Sequence, residues 1–428
     1  MNIAKTSRPV GENSSAVAVT SDSDARRVER GWGLLAMEER IEAPATAALL
    51  PHGAMYHVVD QIGARALWQR GITGAGVNVA VIDTGVAPVP ALSGPGKVVA
   101  VADLSNEAHD PTVAFVDTFG HGTAMAGIIA GAEPGADPAR AHEHPDQFFG
   151  VAPDAGIVSV KISGRNGASD PADVIAGIDW VIEHAEELDI KVINLSYDSG
   201  SLLGYRDDPL TAAVERAWHA GIVVVAIAGN NGGDTDRLAS PAVDPYVIAV
   251  ASADVDEDGV RIGSWSNAGD GVRQPDIAAP GGHIQTLRAP GSFADTNHSD
   301  VGGVERDARL FQGTGTSESA AVISGVLALL FQQRPDLTPD QAKALICETA
   351  APIAGSDGPA GAELVQADVA AATETPSTVQ TWDRAVAPSI ATAAPVVACT
   401  SLDHWGGAHW GGAHWGGAHW GGAHWGGA

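Results

Sequence analysis

Five short apolar segments, rich in valine and isoleucine, recur along the middle of the chain and alternate with segments of helical periodicity. Continuous apolar runs of this length are typical of strands that are buried on both faces of a parallel sheet. The segments are VNVAVIDT (77–84), GIVSVKI (156–162), IKVINLSY (190–197), IVVVAIAG (222–229) and YVIAVASA (246–253). We predict a strand at each of the five positions.

Two segments between these strands have the pattern of amphipathic helices. Residues 171–188 begin with Pro171 and place one apolar stripe on a helical face, made of Val174, Ile175, Ile178 and Ile182. Residues 208–221 begin with Asp-Pro and end at a glycine, as helices commonly do. The repeated order of strand and helix predicts an α/β fold with a mostly parallel central sheet and helices on both faces.

Composition divides the chain into four regions. Residues 1–53 form a polar leader or partial pro-segment, 54–355 the α/β domain, 356–403 a linker rich in alanine, threonine and proline, and 404–428 five copies of the pentapeptide HWGGA. The leader contains no apolar segment of signal-peptide length, so the sequence does not support Sec-type export. No apolar run is long enough to cross a bilayer, and we expect no transmembrane segment.

The net charge of −28 and the pI near 4.7 argue against nucleic acid or an anionic membrane as a partner. The simpler interpretation of this charge is solubility. Two cysteines, Cys347 and Cys399, do not make a disulfide framework.

Three turns carry side chains that can perform nucleophilic chemistry. In parallel sheets, active residues gather at the carboxyl ends of strands and in the turns that follow. Asp83 ends a predicted strand, His121 stands between two glycines before a helix, and Ser317 begins an apolar helix. Singly, these residues would be a buried acid, a structural histidine and a helix cap; together they are the components of an Asp-His-Ser triad.

Six blocks of sequence resemble, in order, those of the subtilisin-like serine peptidases, over roughly residues 54–355. They are VAVIDTGV, GHGTAMAGIIAG, GVAPDAGI, VINLSYD, VVVAIAGNNG and GTSESAAVISGVLALL. The chain order Asp, His, Ser is that of subtilisin and is recognised from the family. The resemblance implies a serine endopeptidase, acting on protein or peptide substrates, with Asp83, His121 and Ser317 as the catalytic residues.

The resemblance also implies further roles. Asn230 would be the oxyanion-hole amide, and the Ser317 backbone amide the second donor. Residues expected to bind substrate are Ser196, Tyr197 and Asp198, as an edge for strand pairing, and Ala228, Gly229 and Ala239, as walls of the specificity pocket. Small walls predict a bulky apolar side chain before the cut. No cofactor is expected to be required; a structural calcium is possible, but residues 131–149 replace the usual calcium segment, and we assign no metal ligand.

Two departures from the family pattern have consequences. Glu318 stands where relatives usually have methionine, so its charge is expected to raise the pKa of His121 and to place the activity optimum at neutral pH or above. The same change removes an oxidisable thioether beside Ser317, so mild peroxide should not inactivate there. Asp198 replaces a glycine of many relatives, which would narrow access or favour basic side chains.

The HWGGA repeats allow several interpretations. Their glycines favour a flexible segment, their histidines can gather Zn²⁺ or Cu²⁺, and their tryptophans can contact a cell-envelope polymer. Tails of this kind are similar to those after subtilisin-like domains in actinobacterial proteins. The family implies an extracellular or cell-surface location, although no signal peptide is visible. The alternative function is an inert subtilisin-like scaffold that binds the cell envelope through this tail.

Overall fold

The computed structural model describes residues 16–19, 47–232, 237–298, 309–353, 363–380 and 408–409. Its strands are β1 (Ala16–Val19), β2 (Asn78–Asp83), β3 (Val98–Asp103), β4 (Gly156–Lys161), β5 (Ala168–Ser169), β6 (Ile190–Leu195), β7 (Val223–Ile227), β8 (Ile248–Asp256), β9 (Gly259–Ile262), β10 (Ile277–Pro280), β11 (Ile284–Leu287), β12 (Leu310–Gly313) and β13 (Ala408–His409). The helices are α1 (Met55–Gln61), α2 (Ala64–Trp68), α3 (His121–Ala130), α4 (Pro171–His184), α5 (Pro209–His219), α6 (Phe293–His298), α7 (Thr316–Gln333), α8 (Pro339–Glu348) and α9 (Ala367–Ala372).

Seven parallel strands form the centre of the main sheet, in the order β3-β4-β2-β6-β7-β8-β10. Strand β1 pairs antiparallel with β3, and β9 pairs antiparallel with β8. Two smaller antiparallel pairs, β11 with β12 and β5 with β13, lie outside this sheet. Because β2 is one of the inner parallel strands, with two strands on one side and four on the other, its carboxyl end lies in the interior of the sheet edge.

The two faces of the sheet bury alternate residues of each strand. On β2, Val79 and Val81 pack into the core that contains α3 and α7, whereas Ala80 and Ile82 pack against α4 and α5. This arrangement explains why the strands lack a polar face: both sets of side chains leave water. Burial of one valine or isoleucine side chain contributes about 1.5–3 kcal/mol relative to exposure.

Helix α7 runs through the core rather than along the surface. Every one of its residues from Thr316 to Phe331 is buried, and it packs against α3 and against the strands β6, β7, β8 and β10. A helix that is apolar on all sides needs such surroundings. Close approach is possible at Gly325, where a Cβ would collide with the side chain of Val151.

The five predicted strands are present as β2, β4, β6, β7 and β8, and the two predicted helices as α4 and α5. On α4 the buried apolar residues include Val174, Ile178 and Val181, while Ile175 and Ile182 are only partly buried.

The boundary at residue 355 differs from the structure. Residues 363–380, which the composition assigns to a linker, pack on the domain: Val365 and Ala367 are fully buried, and the Gln380 backbone amide donates to Asp340. Their small side chains fill the space between α2, α7 and α8. The linker composition therefore hides a packed segment.

Candidate active site

Asp83 and His121 form a buried hydrogen-bonded pair at the centre of the sheet edge. Asp83 is the last residue of β2, and His121 is the first residue of α3. The imidazole Nδ1 lies 2.8 Å from Asp83 Oδ2 and 2.9 Å from Oδ1, and both residues are 0% exposed. Asp83 Oδ1 also accepts a hydrogen bond from the Thr84 backbone amide at 2.7 Å. The carboxylate thus fixes the plane of the imidazole ring and directs Nε2 away from itself.

A second buried aspartate, Asp117, organises the start of α3. Its Oδ1 accepts hydrogen bonds from Thr84 Oγ1 and from the amides of Phe119 and Gly120, at 2.6–3.1 Å. Its Oδ2 accepts from the Thr123 amide at 2.9 Å and from Thr123 Oγ1 at 2.6 Å. One carboxylate therefore ties the end of β2 to the helix that begins with His121. The sequence analysis missed this residue, and its place in VDTFGHGT is the only signal of it.

Glycine at 122 allows the turns that carry Asp83 and His121 to touch. A Cβ at Gly122 would collide with the carbonyl oxygen of Gly85, and the Gly122 amide donates to Thr84 Oγ1 at 2.9 Å. A larger residue would separate α3 from β2 and lengthen the Asp83–His121 contact.

The pKa values of both Asp83 and His121 are raised. Burial raises the pKa of Asp83, and this outweighs the opposing effects of His121 and the Thr84 amide. Burial alone would lower the pKa of His121, but the charge and hydrogen bond of Asp83, followed by the charges of Glu318 and Asp117, leave that pKa raised. The raised pKa of His121 means that neighbouring carboxylates stabilise its imidazolium, whereas the raised pKa of Asp83 reflects its burial.

Ser317 lies in the first turn of α7, and α7 packs against α3, the helix that begins with His121. It is 0% exposed, and Gly315 before the helix has extended backbone with φ 167° and ψ 177°. The neighbouring Ser319 Oγ donates to the Ala279 carbonyl at 2.9 Å, which anchors this turn on β10. Glu318, the next residue after Ser317, is close enough for its charge to act on both His121 and Asp83.

Asn230 lies beside the same turn, shortly after the end of β7. Its Oδ1 accepts hydrogen bonds from the Thr316 backbone amide at 2.8 Å and from Thr316 Oγ1 at 3.0 Å. These bonds fix the amide plane, so Nδ2 is its donor atom. Gly229 before it has φ +111°, and a Cβ there would collide with Asn267 Nδ2. Asn267, which the sequence analysis did not single out, thus fixes the turn.

The comparisons identify the family of this arrangement. The sequence profile of the subtilase family matches residues 74–385. The chain belongs to the subtilase family. It is 38% identical to serine protease AprX of Bacillus subtilis (strain 168) over 289 residues, which are 64% of this chain and 61% of AprX. It is 30% identical to the alkaline protease of Alkalihalobacillus alcalophilus over 350 residues, 82% of this chain and 77% of that protein.

Solved structures show the same fold. The subtilase is similar to fervidolysin from Fervidobacterium pennivorans, described as a keratinolytic enzyme related to subtilisin, with a TM-score of 0.59 and 27% identity. That match covers 79% of this chain and 49% of fervidolysin. The chain therefore spans less than two thirds of AprX and of fervidolysin. The predicted α/β class with a mostly parallel sheet and helices on both faces is confirmed.

The residues predicted as the substrate edge of this subtilase differ in where their side chains lie. Ser196 Oγ accepts a hydrogen bond from Asn194 Nδ2 at 3.2 Å, and Tyr197 is fully buried in the core beside α4 and α5. The Asp198 carboxylate accepts from the Gly200 amide at 2.8 Å, so it folds onto its own loop. The side chains of Ser196 and Asp198 therefore bond within their own segment, and that of Tyr197 lies in the core.

The residues predicted as pocket walls are brought together by backbone contacts. The Ala239 amide donates to the Ala228 carbonyl at 2.8 Å, and a Cβ at Gly229 would lie 3.2 Å from the Ala239 Cβ. All three residues are small and uncharged.

The segment 131–149 of the subtilase does not fit a calcium ion. Its acidic side chains have protein partners instead: Asp137 accepts from the Ala139 amide, Glu143 pairs with Arg140, and Glu133 pairs with Arg309. Within the part of the chain that the structure describes, no cluster of three or more histidine, cysteine or acidic side chains is arranged to hold a metal. Nor is any described helix both long and apolar enough to span a membrane.

Both ends of the chain lie largely outside the described residues. The predicted leader 1–53 is described only at β1 and from residue 47, and the HWGGA repeats only at β13. Cys399 lies outside the described residues, whereas Cys347 is a partly buried free thiol whose pKa is raised to about 12 by burial.

Proposed function

We propose that this subtilase is a serine endopeptidase that hydrolyses peptide bonds through an acyl-enzyme intermediate. The observation that carries the proposal is the buried hydrogen bond between Asp83 and His121, beside the helix start that contains Ser317. Family membership and the named serine proteases among the relatives support it.

In the proposed mechanism, Ser317 Oγ attacks the scissile carbonyl carbon while His121 Nε2 takes the hydroxyl proton. Asp83 holds the ring by Nδ1 and stabilises the imidazolium. The negative charge that develops on the carbonyl oxygen is stabilised by Asn230 Nδ2 and by the Ser317 backbone amide. His121 then protonates the leaving amine, and a water activated by the same ring hydrolyses the acyl ester.

We propose that protein or peptide substrates pair with the main chain of Ser196, Tyr197 and Asp198. The burial of the Tyr197 side chain supports a role for the backbone alone. The small pocket walls support a preference for a bulky apolar side chain before the cut. A peptide library tests this, and preferred cleavage after lysine or arginine would contradict it.

Labelling with a fluorophosphonate probe tests the nucleophile. We expect the parent protein to be labelled, Ser317→Ala to be unlabelled, and His121→Ala to be labelled far more slowly. Ser93→Ala, at an exposed serine outside the site, is the matched control and should label like the parent. A folded parent that is not labelled would refute the proposal and favour an inert scaffold.

Action outside the cell or at its surface is also a proposal, supported by the family relationship. Mass spectrometry of the culture medium tests it. N-terminal sequencing of the recovered protein shows in addition whether residues 1–53 are removed.

A further inference from the structure

A buried carboxyl group that the proposed mechanism does not use lies directly beside the nucleophile. Glu318 follows Ser317 in the first turn of α7 and is 1% exposed. Among the described residues, neither Oε1 nor Oε2 has a hydrogen-bonding partner in another residue, and the residue's own backbone amide favours the ionised form. Burial of an ionised carboxylate without a partner is strongly unfavourable, so burial favours the protonated form of Glu318. We therefore expect its role to lie in the charge that the carboxyl group gains as the pH rises.

The carboxyl group lies against the turn that precedes α7, on the side of the oxyanion-hole amide. A Cβ at Gly313 would collide with Glu318 Oε1. A Cβ at Gly315 would lie 3.1 Å from Glu318 Oε2 and 3.3 Å from Asn230 Oδ1. The missing side chains of Gly313 and Gly315 thus leave room for the Glu318 carboxyl group beside the start of α7.

Four ionisable groups from different elements surround the site. The charges of His121 in α3 and Asp83 in β2 act on the Glu318 carboxyl group. The charges of Asp83, Glu318 and Asp117 act in turn on the His121 ring. Burial raises the pKa of Glu318 to about 7; the charge of His121 and the residue's own backbone amide oppose this rise, and Asp83 adds to it. Because Glu318 and His121 influence each other, they titrate as a coupled pair.

We propose, on the basis of the proposed function, that Glu318, a buried carboxyl group beside Ser317 and close to the Asn230 side chain, is a further positioning residue of the catalytic site and sets the pH range in which His121 acts. His121 must be neutral to accept the Ser317 proton, and a negative charge nearby favours its protonated form. The same charge stabilises the imidazolium that forms during attack. Glu318 thus acts on the proposed reaction through its charge.

A titration of the His121 ring tests the proposal without catalysis. Histidine ring signals are followed by NMR in the Ser317→Ala background, with His121→Ala to assign the signal. We expect Glu318→Gln to lower the titration midpoint of His121 by about one pH unit. Glu318→Asp should restore part of the shift, and Glu187→Gln, at an exposed site, should leave the midpoint unchanged. If Glu318→Gln does not fold, Glu318→Met gives the same readout.

The pH profile of kcat/KM is the second readout. The acid limb of Glu318→Gln should move to lower pH by the same amount as the NMR midpoint, whereas a merely structural role would change the height of the profile only. A His121 midpoint in Glu318→Gln that equals that of the parent overturns the inference, whatever the activity. If the midpoint differs between the two proteins but the parent does not cleave peptides, the inference stands and the proposed function is refuted.

Discussion

Replacement of Asp117 by asparagine tests whether one carboxylate holds the catalytic turns together. The parent carboxylate accepts five hydrogen bonds, three at Oδ1 and two at Oδ2. An asparagine keeps only one acceptor oxygen, so at least two of the five bonds are lost. A hydrogen bond to a charged group contributes about 1.5–3 kcal/mol, which gives a loss of about 3–6 kcal/mol. This is a large part of the free energy of unfolding of a whole domain, which is about 5–15 kcal/mol.

The loss of these hydrogen bonds should also lower the rate of peptide cleavage, because Asp117 holds the first turn of α3 and hence the position of His121. A misplacement of about 1 Å lowers rates about 100-fold, and we expect kcat/KM of Asp117→Asn to fall by about that factor. Unfolding by urea is measured in the Ser317→Ala background, which prevents self-digestion, and kcat/KM with a chromogenic peptide in the active form. Asp110→Asn, an exposed aspartate that accepts two similar bonds from Thr112, is the matched control. Parent-like stability and rate in Asp117→Asn would refute the reasoning.

Two further predictions follow from the structure. Asn230→Ala should lower kcat about 100- to 1,000-fold with little change in KM, since its amide acts on the charge of the transition state; an equal rise in KM would assign it to substrate binding instead. Asp244→Asn should stabilise the protein at alkaline pH. Burial, and then the neighbouring Glu215, raise the pKa of Asp244 against the opposing Tyr246 amide and Arg273. A raised folded-state pKa means that the parent loses stability as pH rises above the unfolded value, so the gain of the variant should grow from pH 5 to pH 9, to on the order of 1–2 kcal/mol. Equal unfolding midpoints for the two proteins at pH 9 would contradict this.

The strands that the sequence predicts are those that carry a strong physical signal. Segments such as 156–162 and 222–229 are apolar throughout because both faces of the sheet are covered, and this pattern is visible without a structure. Strand β10 (Ile277–Pro280) is four residues long and ends in proline, so it has too few positions to show any period. Its place in the sheet is decided by pairing with β8.

The site residues also differ in how strongly the sequence signals them. Asp83, His121 and Ser317 stand in recognisable turns, and the proximity of Asp83 and His121 follows from the rule that strand ends share one edge. Asp117 and Asn267 carry a much weaker sequence signal, because what they do depends on donors from other parts of the chain. Glu318 appears from sequence as a favourable charge in a first helical turn; its burial is a property of everything packed around α7.

The placement of Ser317 on α7 has a consequence for biosynthesis. The helix packs against β6, β7, β8 and β10, and its seat exists only when these strands have been synthesised and aligned. Non-local pairing of this kind makes folding slow. Under the proposed function, the nascent chain, itself a potential substrate, has no Ser317 hydroxyl in position until more than three hundred of its residues have left the ribosome. The order in which the elements are translated would then delay proteolysis until the domain that must survive it is nearly complete.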